Sequence, residues 1–253
     1  MAAAMVTGTD TLVFPVSLRD DMPREIATAY WAGPHAEIVR RHPHIREYIQ
    51  RQFSPSDHGY WPVTPRVGTL IAPEWRVDGF AEVRLRSLTV AALTTPMHMR
   101  EVFLDEQNVF QRVLCHLTGP RGGRWWTTGH DDAVAHRTAV LLRRRRGVSG
   151  RAFRRFVHEE LGPVLHAAGA RDLRTYTFLP YTPLAHMTPG VSHDNPVHRR
   201  YHGALVIGAT SRDHLVELFA SPGVSAVIDD QDRVLTAAHA YTVERSVAVI
   251  RTE

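Results

Sequence analysis

Tyr30-Trp31-Ala32-Gly33-Pro34-His35-Ala36-Glu37-Ile38-Val39 lies late in the first helix that the sequence predicts. Trp31, His35 and Ile38 follow an i, i+4, i+7 spacing, so they share one helix face. That face carries an imidazole among large apolar groups and must pack on something. Upstream, Thr11 to Val16 reads as a strand. Asp20 or Asp21 is expected to cap the helix, with Pro23 in its first turn. Downstream, Ile45 to Ile49 reads as a second strand and Ser54 to Asp78 as a long Pro-rich loop. Phe80 to Leu85 is a third strand. Ser87 caps a short helix ending near Pro96, and a helical segment from about Met99 to Gln107 leads into a strand over Val109 to Leu117. The order is β-α-β-β-α-β, the ferredoxin-like unit.

The same order recurs beyond a Gly- and Trp-containing connector. Thr138 to Leu142 is a strand, and Ser149 caps a helix running through Leu161-Gly162-Pro163. Leu173 to Thr177 is a strand, and Pro180 to Arg200 is a second long loop. Gly203 to Ile207 is a strand, Ser211 caps a helix ending near Pro222, and Ala237 to Val243 is the last main strand. Ser246 to Ile250 reads as an additional short strand. Ile45-Arg46-x-Tyr48 parallels Leu173-Arg174-x-Tyr176, 128 positions on, and Asp105-Glu106-Gln107 parallels Asp229-Asp230-Gln231, 124 positions on. The fold class is α+β, with tandem ferredoxin-like halves at 5–118 and 138–253, joined by a connector at 119–137.

The pattern Tyr-Trp, three residues, His, then a small residue and two aliphatics resembles the signature helix of EthD-like proteins, which belong to the dimeric α+β barrel superfamily. The usual Gly-Pro after the His is Ala36-Glu37 here. In the second half Gly162-Pro163 is kept, but Leu161 stands in the His position. The resemblance implies two sheets paired within one chain into an intramolecular dimeric α+β barrel. It also implies one working site, in the first half.

Composition narrows the chemistry. The chain has 253 residues, 43% hydrophobic and 22% charged, with a net charge of +4. These are values of an ordinary globular protein, and nucleic acid is not an expected partner. There is no lysine, so Schiff-base chemistry, lysine-anchored pyridoxal phosphate and a Walker-type phosphate loop are excluded. No apolar run reaches the roughly 18 residues of a membrane span. The N-terminus lacks a secretory pattern, and Cys115 is the only cysteine. The expected location is the cytoplasm.

His35 is the first catalytic candidate, because a neutral imidazole both takes and gives a proton. Asp57-His58 is the second, as an orienting or proton-transfer pair in the first long loop. Trp31, Tyr60 and Trp61 are expected walls for a planar substrate, and His116 is a further lining residue. His116 and His239 occupy matched places in the last strand of each half, which also fits a shared packing need. The second loop holds His186, His193, Asp194, His198 and His202, and the run His193-Asp194, His198, His202 resembles a metal-ligand list; its five- and four-residue spacing without cysteine is a weak zinc signal, and no metal is expected. Arg143 to Arg146 reads as a solvated strand end, and Trp125-Trp126 as structural.

The resemblance implies a small-molecule enzyme that needs no cofactor and works by histidine acid/base chemistry. The reactions it suggests are cyclisation, dehydration or decarboxylation of an aromatic or polyketide-like compound. A non-catalytic binding or accessory protein is the alternative, and a haem-binding barrel is the third reading. The expected assembly is a pseudo-dimer within one chain, with a homodimer of such chains also open.

Overall fold

The computed structural model describes residues 6–8, 11–87, 89, 100–126, 131, 134–183 and 188–251. The helix expected between Ser87 and Pro96 lies almost wholly outside these residues, as does His186. In the first half, β1 (Val6–Gly8) and β2 (Thr11–Leu18) precede α1 (Arg24–Tyr30). A π-helical turn (Trp31–His35) and α2 (Ala36–Arg40) continue α1 without a break in helical backbone. Then come β3 (Ile45–His58), β4 (Gly79–Leu85), α3 (Arg100–Glu106), β5 (Phe110–Val113) and β6 (His116–Leu117). After β7 (Gly123–Trp125), the second half runs β8 (His136–Arg144), α4 (Gly150–Arg155), a π-turn (Phe156–Leu161) and α5 (Gly162–Ala167). It ends with β9 (Arg171–Thr177), β10 (Gly203–Ala209), α6 (Arg212–Ala220), α7 (Pro222–Asp229) and β11 (Leu235–Ile250).

Ser149 and Ser211 cap their helices as expected, each accepting a bond from the backbone three residues on. The first helix is different. Pro23 stands at its N-cap without a side-chain cap, and Asp21 is paired with Arg19 instead.

The strands of each half follow the ferredoxin-like order: β9-β10-β8-β11 in the second half and β3-β4-β2-β5 in the first. The halves meet where β11 pairs with β3, from Tyr241 opposite His58 to Ile250 opposite Tyr48. The expected short C-terminal strand is therefore the far end of one 16-residue strand, whose near end pairs with β8. At the opposite edges, the Leu179 N–H reaches the Leu117 carbonyl at 2.8 Å. The two sheets thus enclose a common interior.

Three cores result. One packs the first half's helices on its sheet, around Trp31, Tyr48 and Phe110. One does the same in the second half, around Phe156, Leu161 and Leu205. The third fills the interior between the sheets, around Phe53, Phe80, Leu141 and Tyr176. With both faces covered, β10 is buried at every position, and its Gly-Ala-Leu-Val-Ile-Gly-Ala run lacks polar alternation for that reason.

The repeat match at Tyr48 and Tyr176 does not survive in three dimensions. Strand pairing shifts between Ile45 and Glu47, leaving Arg46 bulged and exposed. An extra residue in a strand reverses the facing of the residues beyond it. Tyr48 consequently points at the helices, where it accepts a bond from Trp31 Nε1 at 3.2 Å. Tyr176 points into the interior and bonds Glu82.

The interior also holds charges that cross between the halves. Asp172, with a left-handed φ of 41°, accepts from Arg51 at 3.0 Å, Arg137 at 2.7 Å and Arg174 at 3.2 Å. Arg51 also pairs with Glu82 at 2.7 Å, and Arg174 with Glu47 at 3.3 Å. Three guanidiniums therefore balance three carboxylates. This balance is what makes such deep burial of charge tolerable.

The two long loops are exchanged. The first starts later than expected, because β3 runs on to His58. It carries Trp61 and Val67 into the core of the second half. The second carries Val191 into the core of the first half, where Thr188 Oγ1 donates to Glu106 at 2.5 Å. Among the described residues, no helix is long and apolar enough to cross a membrane.

Candidate active site

The first π-turn contains Pro34, which withdraws an N–H from the helical ladder; a wider turn accommodates the loss. His35 closes this turn, 3% exposed. Its Nδ1 lies 2.8 Å from Asp105 Oδ2, at the end of α3. The Tyr30 hydroxyl donates to Asp105 Oδ1 at 2.6 Å, and Asn108 Nδ2 donates to the same oxygen at 3.1 Å. Burial works against the Asp105 charge, but the bonds from His35, Tyr30 and Asn108 outweigh it and hold the carboxyl below its usual range. The same carboxylate, together with burial, raises the Tyr30 phenol.

An ionised carboxylate only accepts hydrogen bonds, so the His35 proton sits on Nδ1 and Nε2 carries the lone pair. Asp105 thereby sets the tautomer and orients the ring. The ring meets Phe110 edge-on at 5.5 Å between centroids, and Trp31 meets the same Phe110 edge-on at 5.4 Å. Behind Trp31, Gln50 Nε2 donates to the Trp31 carbonyl at 2.7 Å and to the Tyr48 hydroxyl at 3.2 Å. Burial pushes the Tyr48 phenol up to about 12, and it stays neutral. Burial likewise raises the Cys115 thiol, which removes it as a nucleophile at neutral pH. The arrangement can accept a proton at one nitrogen while a fixed anion stabilises the imidazolium that forms.

Of the residues singled out from the sequence, the structure brings Trp31 and His35 together. Asp57 lies elsewhere. Its carboxylate is taken by Arg212 at 2.5 Å, and Arg212 also donates to the His58 carbonyl at 3.3 Å. Both sit at the end of β3, not in a loop, and Asp57 orients Arg212 rather than an imidazole. Trp61 is 4% exposed, with Nε1 donating to Gln231 at 2.9 Å and its ring on Phe219. Tyr60 packs on the same Phe219. These two aromatics belong to the core of the second half and do not line the His35 site.

His116 sits on a strand paired with Val13 and stacks on Phe178 at 4.4 Å. Burial and the nearby His202 and Arg200 lower it to about 3, so it stays uncharged. Among the described residues, no three histidine, cysteine or carboxylate side chains are grouped to hold a metal ion. His193 is spent on the Val113 carbonyl and the Thr188 N–H. Of the four arginines, Arg143 stacks on Trp75 at 5.2 Å and Arg145 donates to the Leu235 carbonyl at 3.0 Å, so this strand end is not merely solvated.

Sequence reading missed Asp105, Tyr30 as its partner, and His158. A signal for Asp105 existed, because Asp105-Glu106-Gln107 marked the repeat. What it lacked was any indication that α3 packs beside the π-turn.

No protein-family model matches the chain, and no curated protein matches it. Solved structures do. A "putative monooxygenase" of Lactobacillus acidophilus superposes with a TM-score of 0.57 at 8% identity, over 96% of this chain and 97% of that one. A "putative monooxygenase" of Fusobacterium nucleatum gives 0.55 at 5% identity, over 99% and 95%. An anthrone oxidase-like protein gives 0.51 at 9% identity, over 99% and 98%. The chain has the dimeric α+β barrel fold. Both halves of that barrel come from one polypeptide, and identities this low establish the architecture alone.

Proposed function

We propose that this barrel is a small-molecule enzyme of the EthD-like type, working without a bound cofactor and using His35 as its general acid/base. The observation that carries this reading is the hydrogen-bonded chain from half-buried Tyr30 through buried Asp105 to His35 Nδ1. Asp105 holds the proton on Nδ1 and leaves the Nε2 lone pair for the substrate, and Trp31 and Phe110 supply an apolar surround in which proton transfer is not diluted by water. The substrate class is an aromatic or polyketide-like compound with an acidic C–H or O–H. Cyclisation, dehydration and decarboxylation of such compounds all turn on moving a proton. The names of the structural neighbours favour a second reading, in which the same deprotonation prepares a phenolic substrate for oxygenation.

The test is turnover of a panel of phenolic and polyketide-like compounds, with product analysis and oxygen uptake followed together. Product formation without oxygen uptake supports the first reading, and uptake matched to product supports the second. Activity should depend on both His35 and Asp105. Near-wild-type turnover by folded His35→Gln would remove His35 from the mechanism.

A further inference from the structure

A cleft opens between the two exchanged loops, where Trp75 and Val77 of the first face residues 194–201 of the second. Arg112 of β5 and Arg199 both line it. Among the described residues, neither guanidinium is in an ion pair. Both donate to backbone carbonyls: Arg112 to that of Arg76 at 3.0 Å, and Arg199 to that of Glu74 at 3.3 Å. Burial, and then the neighbouring Arg199 charge, lower Arg112 below the ordinary guanidinium value. Two cations side by side without an ion-pair partner carry a cost that a bound anion would relieve.

The neutral lining is also incomplete. Asn195 is 6% exposed, yet its Nδ2 has no hydrogen-bond partner, and the buried Nε of Arg199 has none either. Each such donor costs free energy unless a ligand or water accepts from it. The carboxylates at the cleft, Glu74 and Asp194, are both exposed. The remaining surface is apolar or aromatic. Trp75 and Tyr201 meet edge-on at 5.7 Å, with Leu114 beside them. The Tyr201 hydroxyl is already held by His239 Nδ1 at 2.7 Å, which leaves its ring to define the wall.

We propose that this cleft binds a small planar carboxylate, with Arg112, Arg199 and Asn195 Nδ2 holding the carboxylate and Trp75 and Tyr201 packing the planar part. Guanidinium forks match a carboxylate in geometry and charge. The cleft shares no lining residue with the His35 site, although Phe110 of that site and Arg112 lie on the same strand, β5.

Calorimetric titration of the full chain with benzoate tests this, with benzamide and sulfate as controls. Benzoate should bind, and benzamide, of similar shape but uncharged, should bind at least about tenfold more weakly. Sulfate should also be weaker, because it lacks the planar group. Arg199→Gln and Asn195→Leu should each weaken benzoate on the order of 10- to 100-fold, with circular dichroism confirming the fold. His35→Gln should leave benzoate affinity unchanged, which separates this proposal from the catalytic one. Equal affinity for benzoate and benzamide would overturn it. So would undiminished benzoate binding by both cleft variants, absence of binding to the wild-type protein, or loss of benzoate binding in folded His35→Gln.

Discussion

Each half carries one long helix interrupted by a π-turn, and the two turns hold a buried histidine in different company. In the first half His35 bonds a carboxylate that is itself held by Tyr30 and Asn108. In the second half His158 bonds two hydroxyls, Thr175 at 2.8 Å and Thr177 at 3.1 Å. Burial, together with the Arg124 and Arg154 charges, lowers His158 to about 3, so it is neutral and stays so. Leu161 fills the place corresponding to His35 and is fully buried. The halves share a backbone device and differ in the electrostatics around it. One histidine is bonded to a carboxylate. The other is fixed among neutral partners.

The largest consequence of this difference concerns activity. In the proposed reaction, His35→Gln and Asp105→Asn should lower turnover on the order of 10²- to 10⁴-fold, while His158→Gln should leave the turnover of folded protein unchanged. A comparable loss in His158→Gln would break the distinction between a working half and a packing half.

The next effect concerns the Gly-Pro kept at 162–163. A Cβ on Gly162 would run into the Trp126 ring, so this glycine clears space for an indole. Gly162→Ala should therefore cost roughly 1–3 kcal/mol through overpacking, read by denaturant unfolding, with turnover retained. Ala36→Gly, the converse change in the first half, should cost only about 1 kcal/mol of helix propensity. If Gly162→Ala were harmless, the retained Gly-Pro would need an explanation other than packing.

The pH dependence of stability sharpens the comparison further. His158 is lowered in the folded state to about 3, against 6.5 in the unfolded chain. Its contribution is therefore complete above pH 6.5 and is eroded as pH falls from 6.5 towards 3. At pH 5 wild type should have lost roughly 2 kcal/mol more than His158→Gln, relative to pH 7.5. Asp105 acts in a lower window, because its folded value lies below the ordinary 3.8. Its contribution persists above 3.8 and fades as pH drops through the folded value. Parallel unfolding curves for wild type and His158→Gln between pH 7.5 and 5 would contradict a neutral buried His158.

The smallest effect belongs to Asp57. Its bond to Arg212 joins two well-exposed side chains, and such pairs contribute about 0–1 kcal/mol. Asp57→Asn should leave turnover unchanged and shift stability by no more than about 1 kcal/mol. A marked loss of turnover would return this residue to the active site.

The sequence by itself determined the order of the main strands and the duplication, and it singled out the Tyr30–Val39 stretch. Those signals are local: hydrophobic periodicity, serine caps and a repeated pattern along one chain. It also brought Trp31 and His35 to one face, because residues four apart on a helix are neighbours. Tertiary structure alone decided the partners. Asp105 stands 70 positions from His35 and becomes its partner only because α3 packs beside the π-turn. Trp61 and Tyr60 were legible as aromatic but not as belonging to the other half, since nothing in a loop's composition encodes which core it crosses to. The bulge at Arg46, which turns Tyr48 to the helices while Tyr176 faces the interior, was invisible for a related reason. Strand facing depends on pairing register, and register is set by the neighbouring strand rather than by the residues that look alike.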